Sequence, residues 1–206
     1  MSEPTRNRET LDSYEAIASD YAESTRGTPS GVGAEALGRL LDALPAGGSV
    51  LELGSGPGWD ADFLSSQGVR VRRTDGAVSF CDLQRGRGHR CDLLDVTTDA
   101  FTDATWPAYD GVLALFVLQH VERAATPSVL AKAAGALRPG GVALVSMREG
   151  GTDAWQVGES GRRYHVTTWT RDDFEGALAV AGLTPTWHVR LADDEGDWLL
   201  VLATNG

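Results

Sequence analysis

The segment Val50-Leu51-Glu52-Leu53-Gly54-Ser55-Gly56-Pro57-Gly58 runs an apolar strand directly into three closely spaced glycines. Glycine belongs where the backbone takes positive φ or must touch a ligand closely. The helix that follows supplies unpaired N–H groups and the positive end of its dipole. Such a loop cradles a nucleotide or the carboxylate end of an amino acid. A phosphate-binding Walker loop would need Gly-Lys-Ser/Thr, but Lys132 is the only lysine. A dinucleotide fingerprint would place its third glycine at position 59, which is Trp59; here it falls at Gly58. A tight strand-to-helix turn without a ligand stays open as an alternative. A second chemical feature follows in Thr74-Asp75-Gly76, at the end of another short strand. A carboxylate there can accept two charge-assisted hydrogen bonds from a diol, or can simply cap a helix.

These residues need elements to hold them. Apolar spacing predicts helices over 14–21 and 34–44, with Gly27 to Gly33 as a loop and residues 1–12 frayed. Strands are expected at 49–53, 69–74, 89–93, 109–115, 142–147, 184–191 and 198–204. Helices or turns fall between them at 59–67, 78–85, 125–137 and 170–181. Arg138-Pro139-Gly140-Gly141 reads as a turn. Strands alternating with helices argue for right-handed crossovers and a mostly parallel sheet. The last two strands are joined only by the acidic turn Asp193-Asp194-Glu195-Gly196, which permits an antiparallel hairpin and nothing else. The expected fold is therefore α/β, a three-layer α/β/α sandwich with a seven-stranded, mostly parallel sheet and a terminal antiparallel hairpin. At 206 residues the chain is expected to form one domain.

Leu51-Glu52-Leu53-Gly54-x-Gly56-x-Gly58 resembles the first motif of class I S-adenosylmethionine-dependent methyltransferases, which carry a Rossmann-like fold of this outline. The resemblance implies that Glu52, Gly54, Ser55, Gly56 and Gly58 surround the methionine part of S-adenosylmethionine. It implies that Asp75, followed by Gly76, holds the ribose hydroxyls. His89-Arg90-Cys91-Asp92-Leu93 is similar to the third motif, which implies that Asp92 meets the adenine amino group and Leu93 packs on the ring; Asp95 competes for that role. Residues 109–121 match the fourth strand and the segment crossing the active-site mouth, which adds Phe116 and Gln119 as cofactor contacts. Residues 137–141 resemble the turn before the fifth strand. The same resemblance folds residues 13–44 over the cofactor, with Tyr21 favoured over Tyr14 for contact.

The sulfonium of that cofactor is already activated, so the enzyme chiefly aligns an acceptor lone pair with the methyl group. A base matters for a hydroxyl acceptor and much less for an amine. His120, just past the fourth strand, is the one candidate base. Residues 148–170, containing Arg148, Glu149, Trp155, Arg162, Arg163, Tyr164, His165 and Trp169, are long for a connection. They read as an acceptor loop or lid, with a self-packed surface hairpin as the alternative.

Composition narrows the partners. A formal charge of −11, from 29 acidic and 18 basic residues, repels a phosphate backbone, so nucleic acid is not expected. Arg70, Arg72, Arg73, Arg85, Arg87 and Arg90 alternate with apolar residues and read as a solvated edge. No apolar run reaches the roughly 18–20 residues needed to span a bilayer, and the polar start lacks a signal-peptide core. A cytoplasmic, membrane-free enzyme is expected, as a monomer or homodimer. Cys81 and Cys91 lack a C-x-x-C partner pair and read as free thiols, with no metal expected. The single lysine amid many Ala, Gly and Arg residues suits a GC-rich bacterial genome. The expected function is methyl transfer from S-adenosylmethionine to a small molecule. The rivals are a non-catalytic S-adenosylmethionine-binding protein or partner subunit, and a nicotinamide-dependent oxidoreductase.

Overall fold

A computed structural model describes residues 6–158, 160–193 and 196–206. Helices α1 (Arg6–Ser24) and α2 (Gly31–Ala43) precede β1 (Ser49–Leu53), α3 (Trp59–Ser66), β2 (Arg70–Asp75), α4 (Val78–Gly86) and β3 (Cys91–Leu93). Then come β4 (Tyr109–Ala114), a single 3-10 turn at Leu118–His120, α5 (Thr126–Ala136) and β5 (Leu137–Glu149). The chain ends with β6 (Ala154–Val157), β7 (Arg163–Val166), β8 (Thr168–Trp169), α6 (Arg171–Val180), β9 (Leu183–Asp193) and β10 (Gly196–Asn205).

The main sheet has the order β3-β2-β1-β4-β5-β10-β9, and β8 adds two residues beside β5. Strands β1 to β5 pair in parallel, whereas β10 is antiparallel to both β5 and β9. This is the Rossmann-like outline with the terminal hairpin. Alternation along the strands builds two cores. Leu51, Val112, Ala114, Val145 and Val201 face α5 and α6, whereas Val50, Leu113, Leu144 and Leu200 face α2 and α3. A smaller cluster joins α1 to α4 through Ala18, Ala77 and Phe80. Among the described residues no helix is long and apolar enough to cross a membrane.

The sheet changes direction of winding at β1, which pairs with β2 on one side and β4 on the other. In open α/β sheets ligands bind beyond the carboxyl ends of strands at such a switch point. The glycine loop leaves β1 there, and Asp75 ends the neighbouring strand.

Two expectations need correction, and a third stretch takes the hairpin form left open for it. Residues 6–12 are helical, since α1 starts at Arg6. Its first turns are held by polar contacts to distant segments, such as Asn7 to Asp95 and Thr10 to the His165 amide, which leave no apolar period. Residues 138–141 are not a separate turn but part of β5; the pairing with β4 slips between Tyr109 and Gly111 to accommodate them. The stretch 148–170 contains the β6–β7 hairpin, which is docked onto α1 through Ser13 to the Arg163 carbonyl (2.6 Å) and Glu9 to Arg163 (2.7 Å). Asp194 and Glu195 of the expected acidic turn lie outside the described residues.

Candidate active site

A cavity of about 330 Å³ opens at the switch point. Gly54 to Pro57 and Asp60 line it from the β1 exit, and Asp75 and Gly76 from the β2 tip. Leu94 to Val96 follow β3, and Leu115 to Val117 with His120 follow β4. Helix α1 roofs the space with Leu11, Tyr14 and Tyr21.

The glycine loop adopts the geometry that its composition demands. Gly54, Gly56 and Gly58 have φ of 63°, 51° and 87°, a region closed to most side chains. A Cβ at Gly54 would stand 2.3 Å from Val117 Cγ2, and one at Gly58 would stand 2.5 Å from Gln84 Oε1. At Gly56 a Cβ would meet nothing within 4 Å, so this peptide borders open space. Its two ends are fixed from outside. The Gly56 amide donates to Asp75 Oδ2 at 2.8 Å, and its carbonyl accepts from Gln84 Nε2 at 2.8 Å. Asp75 Oδ1 accepts from the Ala77 amide at 2.8 Å. Asp75 thus ties the turn ahead of α4 to the glycine loop, while the first amides of α4, at Val78 and Ser79, are capped by Glu15 of α1.

Three carboxylates crowd this end. Glu52 is 3% exposed and accepts a hydrogen bond from Ser55 Oγ. Burial, with repulsion from Asp60, pushes its carboxyl up to about 8. Burial raises Asp60 and Asp75 to about 6 each. A site that disfavours its own negative charges is suited to a cationic ligand, whose charge would restore the ionised forms.

His120 sits in a defined hydrogen-bond set. Its Nδ1 lies 3.0 Å from the His165 carbonyl oxygen, which can only accept, so the proton is assigned to Nδ1. Nε2 is then an acceptor, and both Tyr14 OH (2.9 Å) and Gln119 Nε2 (3.1 Å) reach it. One lone pair serves two donors. Burial lowers the ring to about 4, so it is neutral at pH 7. Rings close around it: Tyr14 edge-on at 5.2 Å and Tyr164 of β7 at 5.6 Å.

Of the residues expected to hold the cofactor, Tyr21, Gly54, Ser55, Gly56, Asp75, Gly76 and Phe116 line the cavity, as does His120. Glu52 and Gly58 stand one layer behind, bracing the loop. Gln119 is buried and turned to the Phe116 carbonyl, which accepts from its Nε2 at 2.5 Å. Asp92 and Leu93 do not line the cavity. Asp92 pairs with Arg72 (3.1 Å) and Arg90 (2.9 Å), and Leu93 is 55% exposed. Leu94, Asp95 and Val96 occupy the wall instead. Arg90, just ahead of β3, and Asp92 within it are two apart, the spacing that brings their side chains to one side. Phe80, Asp60 and the first two turns of α1 were not anticipated. Phe116 has φ of 58°, an uncommon value for a bulky residue, and its ring meets Trp198 edge-on at 5.0 Å.

A family model described as a methyltransferase domain matches residues 30–188. Among curated proteins no sequence match was found. Solved structures are similar in fold. Burkholderia thailandensis 1,6-didemethyltoxoflavin-N1-methyltransferase, with 1,6-didemethyltoxoflavin and S-adenosylhomocysteine bound, is 22% identical, with 100% of this chain and 93% of that chain covered and a TM-score of 0.70. Magnesium protoporphyrin IX methyltransferase from Synechocystis PCC 6803, with S-adenosylmethionine bound, is 12% identical, with both chains covered at 100% and a TM-score of 0.77. The CcbJ methyltransferase from Streptomyces caelestis is 20% identical, with 96% of this chain and 99% of that one covered and a TM-score of 0.72.

Proposed function

The chain belongs to the methyltransferase-domain family, and from that premise we propose that it transfers the methyl group of S-adenosylmethionine to a small-molecule acceptor. The observation that carries the reading is the Gly56 peptide, fixed between Asp75 and Gln84 and bordering open space in an acidic cavity. S-adenosylmethionine suits that donor set, because it brings a sulfonium, an ammonium, a diol and a flat base into one molecule. When bound, it supplies a methyl group already activated for displacement.

This chain's residues then divide the work of binding and alignment. Gly54, Ser55 and Gly56 would hold the methionine portion, with Asp60 supplying negative charge and Glu52 bracing the loop from behind through Ser55. Asp75 retains lone pairs beyond its two backbone contacts and would accept from the ribose hydroxyls. Asp95, flanked by Leu94 and Val96, takes the place first expected for Asp92 beside the adenine. Tyr14, Tyr21 and Phe80 pack ring against ring at 5.7–6.2 Å and exclude water from the roof.

His120 holds the Tyr14 hydroxyl and is too weak a base at pH 7 to ionise an alcohol. The acceptor atom should therefore bring its own free lone pair, as an amine does. The small-molecule assignment is supported by the toxoflavin-precursor and protoporphyrin substrates named for the similar enzymes. Calorimetric titration with S-adenosylhomocysteine and with a nicotinamide dinucleotide tests the reading. Binding of the former alone is expected; preference for the dinucleotide would overturn it.

A further inference from the structure

Behind the cavity wall lies a pair of nucleophiles that methyl transfer does not use. Cys81 lies on α4 and Cys91 opens β3; they are 0% and 1% exposed, and their Sγ atoms stand 2.7 Å apart. A disulfide needs the sulfurs about 2.05 Å apart, so bonding asks for well under 1 Å of approach. These are the only cysteines in the chain, so no other thiol competes. The Cys81 thiol beside it, together with burial, pushes the Cys91 thiol well above its usual range, so Cys91 rests as a thiol.

The pair is one side chain away from the glycine loop. Gln84, fully buried on α4, brings Nε2 to 3.7 Å from Cys91 Sγ while donating to the Gly56 carbonyl at 2.8 Å. Its Oε1 stands 2.5 Å from the position a Cβ on Gly58 would take. The same amide group therefore touches a thiol and holds the peptide on which cofactor binding depends.

We propose that Cys81 and Cys91 form a reversible disulfide under hydrogen peroxide, and that this bond weakens cofactor binding through Gln84. The second half rests on the S-adenosylmethionine site proposed above. One thiol attacks the peroxide, breaking the O–O bond and releasing water, and becomes a sulfenic acid. The other sulfur displaces its hydroxyl, which leaves as a second water. The two thiols lose two hydrogens and two electrons, and the peroxide gains them. A dithiol reductant reverses the step. Closing the bond draws Cys81 of α4 toward β3, and Gln84, one turn further along the same helix, shifts with it away from the Gly56 carbonyl that it holds. Coupling of this kind is reciprocal: bound cofactor must shift the dithiol–disulfide equilibrium toward the thiols by the same factor.

The full chain would be treated with hydrogen peroxide, followed by intact mass measurement and by titration with S-adenosylhomocysteine before and after dithiothreitol. Loss of two hydrogens, at least fivefold weaker binding, and recovery of both on reduction are expected. Cys81→Ser and Cys91→Ala should each abolish the two-hydrogen loss and bind the ligand alike with and without peroxide. Either variant suffices if the other misfolds. No two-hydrogen loss, or a disulfide form that binds as tightly as the reduced form, overturns the proposal. Failure of the reduced protein to bind S-adenosylhomocysteine is a separate result: it removes the cofactor site, and with it the control, whatever the mass shows.

Discussion

Gly54→Ala separates what the loop does for the fold from what it does for the ligand. At φ of 63° an added Cβ costs about 1–2 kcal/mol in backbone strain. It would also lie 2.3 Å from Val117 Cγ2, and overpacking of this kind costs roughly 1–3 kcal/mol more. The expected loss is about 2–5 kcal/mol. For a chain this size each kcal/mol shifts the melting temperature by about 2–4 °C, so the melt should fall by roughly 4–20 °C. Gly56→Ala carries only the strain, because nothing lies within 4 Å of its Cβ. It should melt closer to the parent yet lose cofactor affinity, since the new methyl enters the space the loop borders. Adding Val117→Ala to Gly54→Ala should recover about 1–3 kcal/mol as a coupling energy in a double-mutant cycle. Thermal denaturation of the four proteins decides the matter. A Gly54→Ala protein that melts with the parent, or strict additivity with Val117→Ala, would refute the steric argument.

Further perturbations address the charges and the histidine. Asp75→Asn turns an amide N–H toward a backbone N–H, at Gly56 or at Ala77. Its affinity for S-adenosylhomocysteine should drop more than tenfold, or about 1.4 kcal/mol, as read by calorimetry. Glu52 keeps its proton up to about pH 8 in the folded chain against a usual 4.5, so the native state binds more protons than the unfolded one between those values. Stability must therefore fall as pH rises through that window. Asp60 and Asp75 act the same way below about pH 6, where His120, lowered from 6.5 to about 4, acts in the opposite sense. From pH 6.5 to 8 the Glu52 effect dominates these, and urea denaturation should show a loss of about 1–2 kcal/mol that Glu52→Gln abolishes. His120→Ala removes a hydrogen-bond partner from the Tyr14 hydroxyl, the Gln119 amide and the His165 carbonyl, and should cost about 1–3 kcal/mol. Tyr14→Phe leaves Gln119 to serve Nε2 and should cost under about 1 kcal/mol; equal losses in urea would argue against the shared lone pair.

The sequence was most legible where one residue type is the only solution. Gly54, Gly56 and Gly58 announced their positive φ, and the short acidic link before Trp198 announced the antiparallel β9–β10 pair. Short apolar runs alternating with helices placed the strands of the main path. What escaped was set by partners far along the chain. The first turns of α1 are held by Asp95, Arg163 and His165, and no local period records that. Asp92 and Asp95 are equivalent as residue types; only the β2–β3 register, which sets Asp75 opposite Leu93, turns one to Arg72 and leaves the other at the cavity. The protonated state of Glu52 needed both its burial and the approach of Asp60 from the next helix.

That cluster is also where the chain departs from what folding alone favours. Three carboxylates at one end of a cavity, each shifted toward its neutral form, weaken the ligand-free protein, and a stability-optimised sequence would replace Glu52 with an apolar residue. Such local inconsistency is expected at functional sites. A cation entering the cavity relieves it, and the relief is larger for a ligand with two positive charges than for one with one. S-adenosylmethionine should thus bind more tightly than S-adenosylhomocysteine, which lacks the sulfonium charge. The preference should shrink as pH falls through about 6, where Asp60 and Asp75 take up protons. Parallel titrations at pH 5 and pH 8 measure it, and a preference independent of pH would mean that these carboxylates do not sense the ligand's charge.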